Sequence, residues 1–248
     1  MKYLGSKARV AKELTQIIQR YIDCNGIDDY YEPFCGGCNV IDKIYCKNKY
    51  ASDNHRYLIS LLKYVQEHYD NLPVHISEAQ YNEVKENMDG YEEWYVGLVG
   101  FCATFSAKWF ETYARDRKTN RDISSESIRN LRKQAPNLRG IQFRYGDYSD
   151  LTDVSGALIY CDPPYRNTAE YATSKDFDYD KFYDWCREMS KDNIVLISEY
   201  NMPDDFECIW EKELKVLINP DTGKNTELDN TRVEKLFIWS GMDGVDFI

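Results

Sequence analysis

The chain is organised around the tetrapeptide Asp162-Pro163-Pro164-Tyr165 and the apolar run of residues 157–161 before it. A short apolar run bounded by turn residues is typical of a buried strand. Two consecutive prolines cannot donate hydrogen bonds to a sheet, so the strand is predicted to end there. Ligands of an open α/β sheet bind at the carboxyl ends of its strands. A carboxylate, rigid backbone carbonyls and an aromatic ring at that edge suit a planar base with an exocyclic amino group. Because Asp-Pro is also common in turns, an ordinary strand-to-loop turn is the alternative.

Length and composition indicate one α/β domain with an insertion, or two small domains, since the chain has 248 residues of which 43% are hydrophobic. No apolar signal segment opens the sequence, and no stretch reaches the ~18 apolar residues of a membrane span. We therefore expect a soluble, cytoplasmic protein that does not bind a membrane.

The eight cysteines are scattered along the chain, which predicts reduced thiols rather than disulfides. Cys35 and Cys38 match a C-x-x-C pattern, but no second such pair follows and only three histidines are present. A zinc site or a redox pair is therefore not favoured, and we expect no metal.

The charge is unevenly distributed. The net charge of −11 argues against a general nucleic-acid coat, yet residues 108–144 contain ten Lys or Arg and four Asp or Glu. That segment has a local charge of +6, which leaves −17 for the rest of the chain. Such a basic segment suits phosphate binding, and a solvated helical surface is the alternative.

A glycine turn between a strand and a helix is predicted near the start of the chain. Residues 30–34 form the strand, Cys35-Gly36-Gly37-Cys38 the turn, and residues 40–46 the helix. This arrangement is typical of nucleotide binding in Rossmann-like folds, although the absence of a full G-x-G-x-x-G weighs against NAD. Asp53, at the end of the second predicted strand, fits a ribose-hydroxyl acceptor or the N-cap of the helix that follows.

The alternation of strands and helices is interrupted by a predominantly helical segment, residues 72–140, with a predicted helix at 124–134. It resumes with a strand at 141–145, followed by Asp147. Further strands are predicted at 193–199, 208–217 and 231–239, and polar loops at 166–177 and 219–230.

Several motifs occur in one order: Tyr-Leu-Gly-Ser-Lys at residues 3–7, Glu-Pro-Phe-Cys-Gly-Gly at 32–37, Gly-Asp-Tyr at 146–148 and Cys-Asp-Pro-Pro-Tyr at 161–165. The chain thereby resembles the Dam-type, alpha-class DNA adenine-N6 methyltransferases. The resemblance implies an α/β fold with a Rossmann-like, seven-stranded methyltransferase sheet and an inserted helical target-recognition domain. It also implies S-adenosylmethionine as the cofactor. Residues 1–71 and 141–248 would form the catalytic domain, and residues 72–140 the DNA-binding domain.

The resemblance also implies roles for individual residues. The catalytic motif is Asp162, Pro163, Pro164 and Tyr165. The residues expected to bind the cofactor are Tyr3, Lys7, Glu32, Pro33, Phe34, Gly36, Gly37, Asp53, Asp147 and Asp162. The family often has a third glycine where this chain has Cys38. From the basic segment we expect DNA contacts by Lys108, Arg115, Arg117, Lys118 and Arg121.

The predicted activity is the site-specific transfer of a methyl group from S-adenosylmethionine to N6 of a flipped adenine in double-stranded DNA. Methylation of cytosine N4 is a second enzymatic interpretation, because that amino group is chemically alike. A catalytically idle nucleic-acid-binding module is a third, which needs neither the Asp-Pro-Pro-Tyr motif nor the glycine turn. We expect a monomer without a metal; a restriction-endonuclease partner is left open.

Overall fold

A computed structural model describes residues 1–3, 5–116, 119, 121–165, 177–215 and 231–241. The helices of this part of the chain are α1 (Ala11–Asn25), α2 (Arg56–His68), α3 (Glu78–Glu86), α4 (Glu93–Cys102), α5 (Ile123–Leu138) and α6 (Tyr179–Met189). The strands are β1 (Asp29–Glu32), β2 (Asn48–Asp53), β3 (Ile141–Tyr145), β4 (Leu158–Cys161), β5 (Ile194–Ser198), β6 (Phe206–Lys215) and β7 (Thr231–Trp239).

The seven strands form a mostly parallel sheet in the order β3-β2-β1-β4-β5-β7-β6. Strands β1, β2 and β3 pair in parallel, as do β4 and β5. Strand β7 is antiparallel to both β5 and β6, so β6 lies at the edge of the sheet and β7 lies inside it. This order confirms the predicted α/β, Rossmann-like fold.

The chain divides into two compact units, Met1–Thr152 and Asp153–Phe247. The first contains β1–β3 and α1–α5, and the second contains β4–β7 and α6. None of the helices in the described ranges is long and apolar enough to cross a membrane.

Helix α2 is the centre of the first unit's core. It buries Leu58, Leu61, Leu62 and Val65, and helices α4 and α5 pack against it. A methyl group on Gly97 of α4 would lie 2.2 Å from the backbone oxygen of Tyr57. The close approach of α4 to α2 therefore requires a glycine at this position.

Three predictions about local structure were wrong. Residues 40–46 do not form an α-helix. A 3-10 turn spans only Ile41–Lys43, and the backbone of Ile44, which leads towards β2, is extended. The apolar residues that suggested a helix are buried in a short connection instead. The N-cap of α2 is His55, whose ring nitrogen accepts the N–H of Leu58, and not Asp53.

The third correction concerns α5, which extends four residues past its predicted end at Gln134 to Leu138. Arg132 of this helix is half-buried, and its guanidinium donates to the backbone oxygens of Tyr69 and Leu72. The predicted polar loops at 166–177, apart from its last residue, and at 219–230 lie outside the described residues.

Candidate functional site

Three carboxylates lie at or just after the carboxyl ends of the parallel strands of the first unit. Glu32 ends β1, Asp53 ends β2, and Asp147 follows β3 by two residues. The N–H of Gly146 donates to the backbone oxygen of Asp53 at 3.2 Å, which ties the ends of β2 and β3 together. The structure therefore places these three predicted residues along one edge, where ligands of α/β sheets bind.

Asp53 links the glycine turn to the end of β2. Its side chain is only 8% exposed, and its two oxygens accept the backbone N–H groups of Gly36 and His55, each at 3.0 Å. Burial raises the pKa of this carboxyl to about 6, although the two N–H donors favour the charged form. The position of the turn thus depends on a buried acid whose ionisation is costly.

The glycine turn is closed by a hydrogen bond from the N–H of Cys38 to the oxygen of Cys35, at 2.8 Å. Gly36 has a φ of +45°, and a methyl group there would lie 2.9 Å from the ring of Tyr3. A methyl group on Gly37 would lie 2.9 Å from the Cβ atom of Tyr3. Tyr3 therefore packs directly on both glycines, which leaves no space for larger residues.

Cys38 adopts a φ of +55°, in the left-handed region that favours glycine. Glycine, which the resemblance leads us to expect at this position, would adopt such a φ without strain. Its thiol is fully buried and neighbours that of Cys35. The hydrogen bond to Cys38, together with burial, raises the pKa of Cys35 well above its ordinary value, which makes this thiol a weak nucleophile.

Sequence reasoning missed Gln134 of α5, which also holds the glycine turn. Its side-chain nitrogen donates to the backbone oxygens of Gly37 and Cys38 at 3.0 and 3.1 Å, and to Asp42 at 2.9 Å. Gln134 is 7% exposed and lies 97 residues from Gly37 in the sequence. No local pattern signals such a contact.

The other predicted cofactor residues of this unit are close to the same strand ends or buried nearby. Lys7 and Glu32 are 6% and 3% exposed, and Tyr30 donates its hydroxyl to Glu32 at 2.6 Å. Pro33 is buried, and the ring of Phe34 stacks on Tyr148 with centroids 5.4 Å apart.

Asp147 is exposed, and one of its carboxylate oxygens accepts the N–H and the hydroxyl of Ser149 at 3.0 and 2.6 Å. It therefore caps the short turn after β3, while its other oxygen is not engaged by Ser149.

An aromatic cluster adjoins the glycine turn. The ring of His55 contacts Trp109 and Phe101 edge-on, with centroids 4.3 and 5.0 Å apart, and Phe101 also contacts Tyr3 at 5.6 Å. Burial lowers the pKa of His55 to about 4, so its ring is neutral at physiological pH.

In the second unit, the Asp-Pro-Pro-Tyr motif directly follows β4. All four residues of β4 are buried, and the strand ends at Cys161, as predicted. Asp162 is half-buried and Pro163 is buried. The hydroxyl of Tyr165 donates to Glu234 at 3.2 Å. Burial raises the pKa of Tyr165 well above its ordinary value, and the negative charges of Asp162 and Glu234 raise it further.

The basic residues expected to contact DNA are paired with acids where the structure describes them. Lys108 pairs with Glu111 at 3.1 Å and Arg121 with Glu126 at 2.6 Å. Arg115 binds Glu78, with Nε 2.9 Å from Oε2. Arg117 and Lys118 lie outside the described residues.

The described residues contain no group of three or more His, Cys, Asp or Glu side chains arranged to hold an ion.

The chain was also compared with known proteins. No curated protein matches it. A family model described as D12 class N6 adenine-specific DNA methyltransferase matches residues 3–192, more than half of the chain, from Tyr3 through the Asp-Pro-Pro-Tyr motif to the end of α6. Such a family acts on adenine in DNA and requires a methyl donor. The chain therefore belongs to the D12 class of N6 adenine-specific DNA methyltransferases.

Proposed function

We propose that this protein transfers the methyl group of S-adenosylmethionine to N6 of an adenine flipped out of duplex DNA at a specific site. Family membership gives DNA adenine methylation; the donor, the flipping and the residue roles are our proposal. The observation that carries it is the Asp-Pro-Pro-Tyr motif at the end of the buried strand β4, with Asp162 half-exposed. A base in a duplex must leave the stack before its amino group can be reached by such a motif.

The strand ends of the first unit have the chemistry that a nucleoside cofactor needs. Gly36 and Gly37 have no side chains, and the buried carboxylate of Asp53 holds the turn that contains them. Each oxygen of Asp53 can accept a hydrogen bond from a ribose hydroxyl in addition to the one from a backbone N–H. Asp147 would accept the amino group of the cofactor's adenine. When bound, S-adenosylmethionine supplies an electrophilic methyl group on a positively charged sulfur.

The remaining cofactor residues have supporting roles in this proposal. Tyr3 and Lys7 belong to the N-terminal binding motif, and Tyr3 lies directly on the two glycines. Glu32, Pro33 and Phe34 lead from β1 into the glycine turn, so they set the position of its backbone.

Asp162 and the backbone oxygen of Pro163 would accept the two N6 hydrogens of the target adenine. The N6 lone pair is delocalised into the ring, so two acceptors that favour a pyramidal nitrogen direct the lone pair towards the methyl group. Positive charge that develops on nitrogen is then stabilised by acceptors already in place. Transfer would be direct, without a covalent intermediate on the protein: the bond from N6 to the methyl carbon would form as the bond from that carbon to sulfur breaks. The neutral thioether would leave, and N6 would lose one proton to solvent.

Tyr165 would stack on the flipped base, and Pro164 keeps the intervening backbone rigid. Stacking of a base on an aromatic side chain is worth about 1–3 kcal/mol. That gain offsets much of the few kcal/mol that extrusion from the duplex costs.

Recognition of DNA is assigned to residues 72–140, and methyl transfer to residues 1–71 and 141–248. Phosphate contacts would come from the basic residues of the insertion, Lys108, Arg115, Arg117, Lys118 and Arg121. Affinity for DNA should then fall as salt rises, because phosphate neutralisation releases counterions.

The test is the transfer of tritium from labelled S-adenosylmethionine to duplex DNA, followed by nucleoside analysis. N6-methyladenine is the expected product, and Asp162→Ala should abolish it, while cofactor binding survives because the other nine proposed cofactor residues are unchanged. Asp204→Ala, which removes an exposed acid of the second unit, is the matched control and should remain active. N4-methylcytosine would instead establish the cytosine alternative. Substantial activity of Asp162→Ala would refute the role of that residue, and cofactor binding without transfer to any DNA would refute the proposed reaction.

A further inference from the structure

Two residues outside the Asp-Pro-Pro-Tyr motif hold its tyrosine. Glu234 of β7 accepts the hydroxyl of Tyr165 at 3.2 Å. Tyr200, just after β5, contacts the ring of Tyr165 edge-on, with centroids 4.6 Å apart and planes at 79°. The tyrosine is therefore fixed at its polar end by one neighbour and along its ring by another.

The sheet brings these two neighbours to the same place. Strands β5 and β7 are antiparallel, with Ser198 opposite Leu236. Pairing of β5 ends at Ser198, and Tyr200 and Glu234 each lie two residues from this pair in their own segments. Because side chains alternate along a strand, Glu234 faces the same side as the buried Leu236. Glu234 is therefore held on a paired strand, and Tyr200 directly follows the end of another.

Tyr200 is itself held by a buried acid. Glu199 is 1% exposed, and its carboxylate accepts the backbone N–H of Tyr200 at 2.7 Å. The backbone that carries the Tyr200 ring is therefore fixed at the point where β5 ends.

We propose that Glu234 and Tyr200 are positioning residues, which hold the ring of Tyr165 in the orientation needed to stack on the flipped adenine. This inference rests on the proposed function of Tyr165. A ring that is fixed before the base arrives loses less side-chain freedom on binding, so more of the stacking energy remains to hold the base outside the duplex.

The ionisation states suit this arrangement. A tyrosine hydroxyl is protonated at neutral pH, and the raised pKa of Tyr165 extends its capacity to donate to Glu234 to more alkaline pH. The groups that face this hydroxyl with negative charge are Glu234 from β7, Asp162 from the same motif and Glu199 from the end of β5.

The experiment measures kcat, the KM for DNA and the dissociation constant of S-adenosylmethionine for three variants. Glu234→Ala removes the acceptor, and loss of one such hydrogen bond predicts a kcat about tenfold lower. Glu234→Gln retains an acceptor and should stay within about threefold of the wild type. Glu213→Ala removes an exposed carboxylate of the neighbouring strand β6 and should leave kcat unchanged.

Two further variants separate positioning from a merely structural role. Tyr165→Phe removes only the hydroxyl and should lower kcat by the same factor as Glu234→Ala. The double variant should be no slower than either single variant, because both remove the same interaction. Cofactor affinity should not change in any of them. Multiplying defects in the double variant, or a Glu234→Ala enzyme as fast as the wild type, would overturn the inference.

Failure of the proposed function can be distinguished from failure of the positioning role alone. If the wild type transfers no methyl group to DNA, the proposed function is refuted and this inference with it. If the wild type methylates adenine while all Glu234 variants match it, only the positioning role is refuted. A parallel loss of kcat and cofactor affinity in Glu234→Ala would likewise refute positioning, because it indicates general disruption of the fold.

Discussion

Asp53 should make the stability of this protein depend on pH between about 4 and 6. Its carboxyl has a pKa of about 6 in the fold and one of about 3.9 in an unfolded chain. A raised folded-state pKa means that the native protein binds more protons than the unfolded chain in this range. The stabilising contribution is therefore complete below pH ~4 and is lost as pH rises through about 6.

The magnitude follows from the difference between the two pKa values. Each pKa unit corresponds to 1.36 kcal/mol, so ionised Asp53 costs the native state about 3 kcal/mol at neutral pH relative to acid conditions. The cause is burial, since Asp53 is 8% exposed and, among the described residues, its carboxylate accepts the N–H groups of Gly36 and His55. These two donors reduce the desolvation cost without removing it.

Asp53→Asn isolates this contribution because the amide does not titrate. Its oxygen can accept only one of the two N–H groups, and its NH2 group must face the other donor. That mismatch costs about 1–3 kcal/mol at every pH. The wild type should therefore be the more stable protein at pH 4, and its advantage should shrink by about 3 kcal/mol, or reverse, by pH 7.5.

Urea denaturation of both proteins at half-unit steps from pH 4 to 7.5 measures the difference. Other titrating groups, including the neutral His55, contribute to both curves and largely cancel in the comparison. A difference in unfolding free energy that stays constant across the range would refute the reasoning, because Asp53 would then have an ordinary pKa. A wild-type advantage that grows with pH would show that the hydrogen bonds outweigh desolvation.

Two more substitutions test the glycine turn, each read by the urea-unfolding free energy. Cys38→Gly should be about 1 kcal/mol more stable than Cys38→Ala, because both delete the thiol but only glycine accepts a φ of +55° without strain. An alanine variant of equal or greater stability would contradict the left-handed conformation. Gln134→Ala should lose about 1–3 kcal/mol, because it withdraws a buried donor from two backbone oxygens. Gln142→Ala, at an exposed position of β3, is its control and should change stability by less than about 0.5 kcal/mol; equal losses would exclude a specific role for Gln134.

The sequence predicted those parts of the fold whose structure depends on residues adjacent in the chain. Strand β4 ends where two prolines forbid further pairing, and Asp53 ends β2. The failed helix at residues 40–46 shows the limit of this reasoning. Val40, Ile41 and Ile44 are buried at near-helical spacing, yet too few residues connect the glycine turn to β2 for a helix to form.

The missed contacts have a different cause, namely separation along the chain. Gln134 reaches Gly37 across 97 residues, and Tyr165 reaches Glu234 across 69. Each pair is brought together by helix packing or by strand register, and neither residue type is unusual in its local sequence. A local motif can therefore predict candidate site residues. The distant residues that contact them, such as Gln134 and Glu234, are identified only by the tertiary structure.

The ion pairs of the basic segment are compatible with a role in binding DNA. Lys108, Arg115 and Arg121 each pair with a carboxylate, but their side chains are 49%, 49% and 57% exposed. An exposed ion pair contributes only about 0–1 kcal/mol, because solvent screens it and holding two long side chains in place has an entropic cost. Exchanging such a partner for a phosphate therefore costs little, whereas the counterions that DNA releases favour the exchange. Pairing in the free protein thus reduces the local positive field without preventing these residues from binding phosphate.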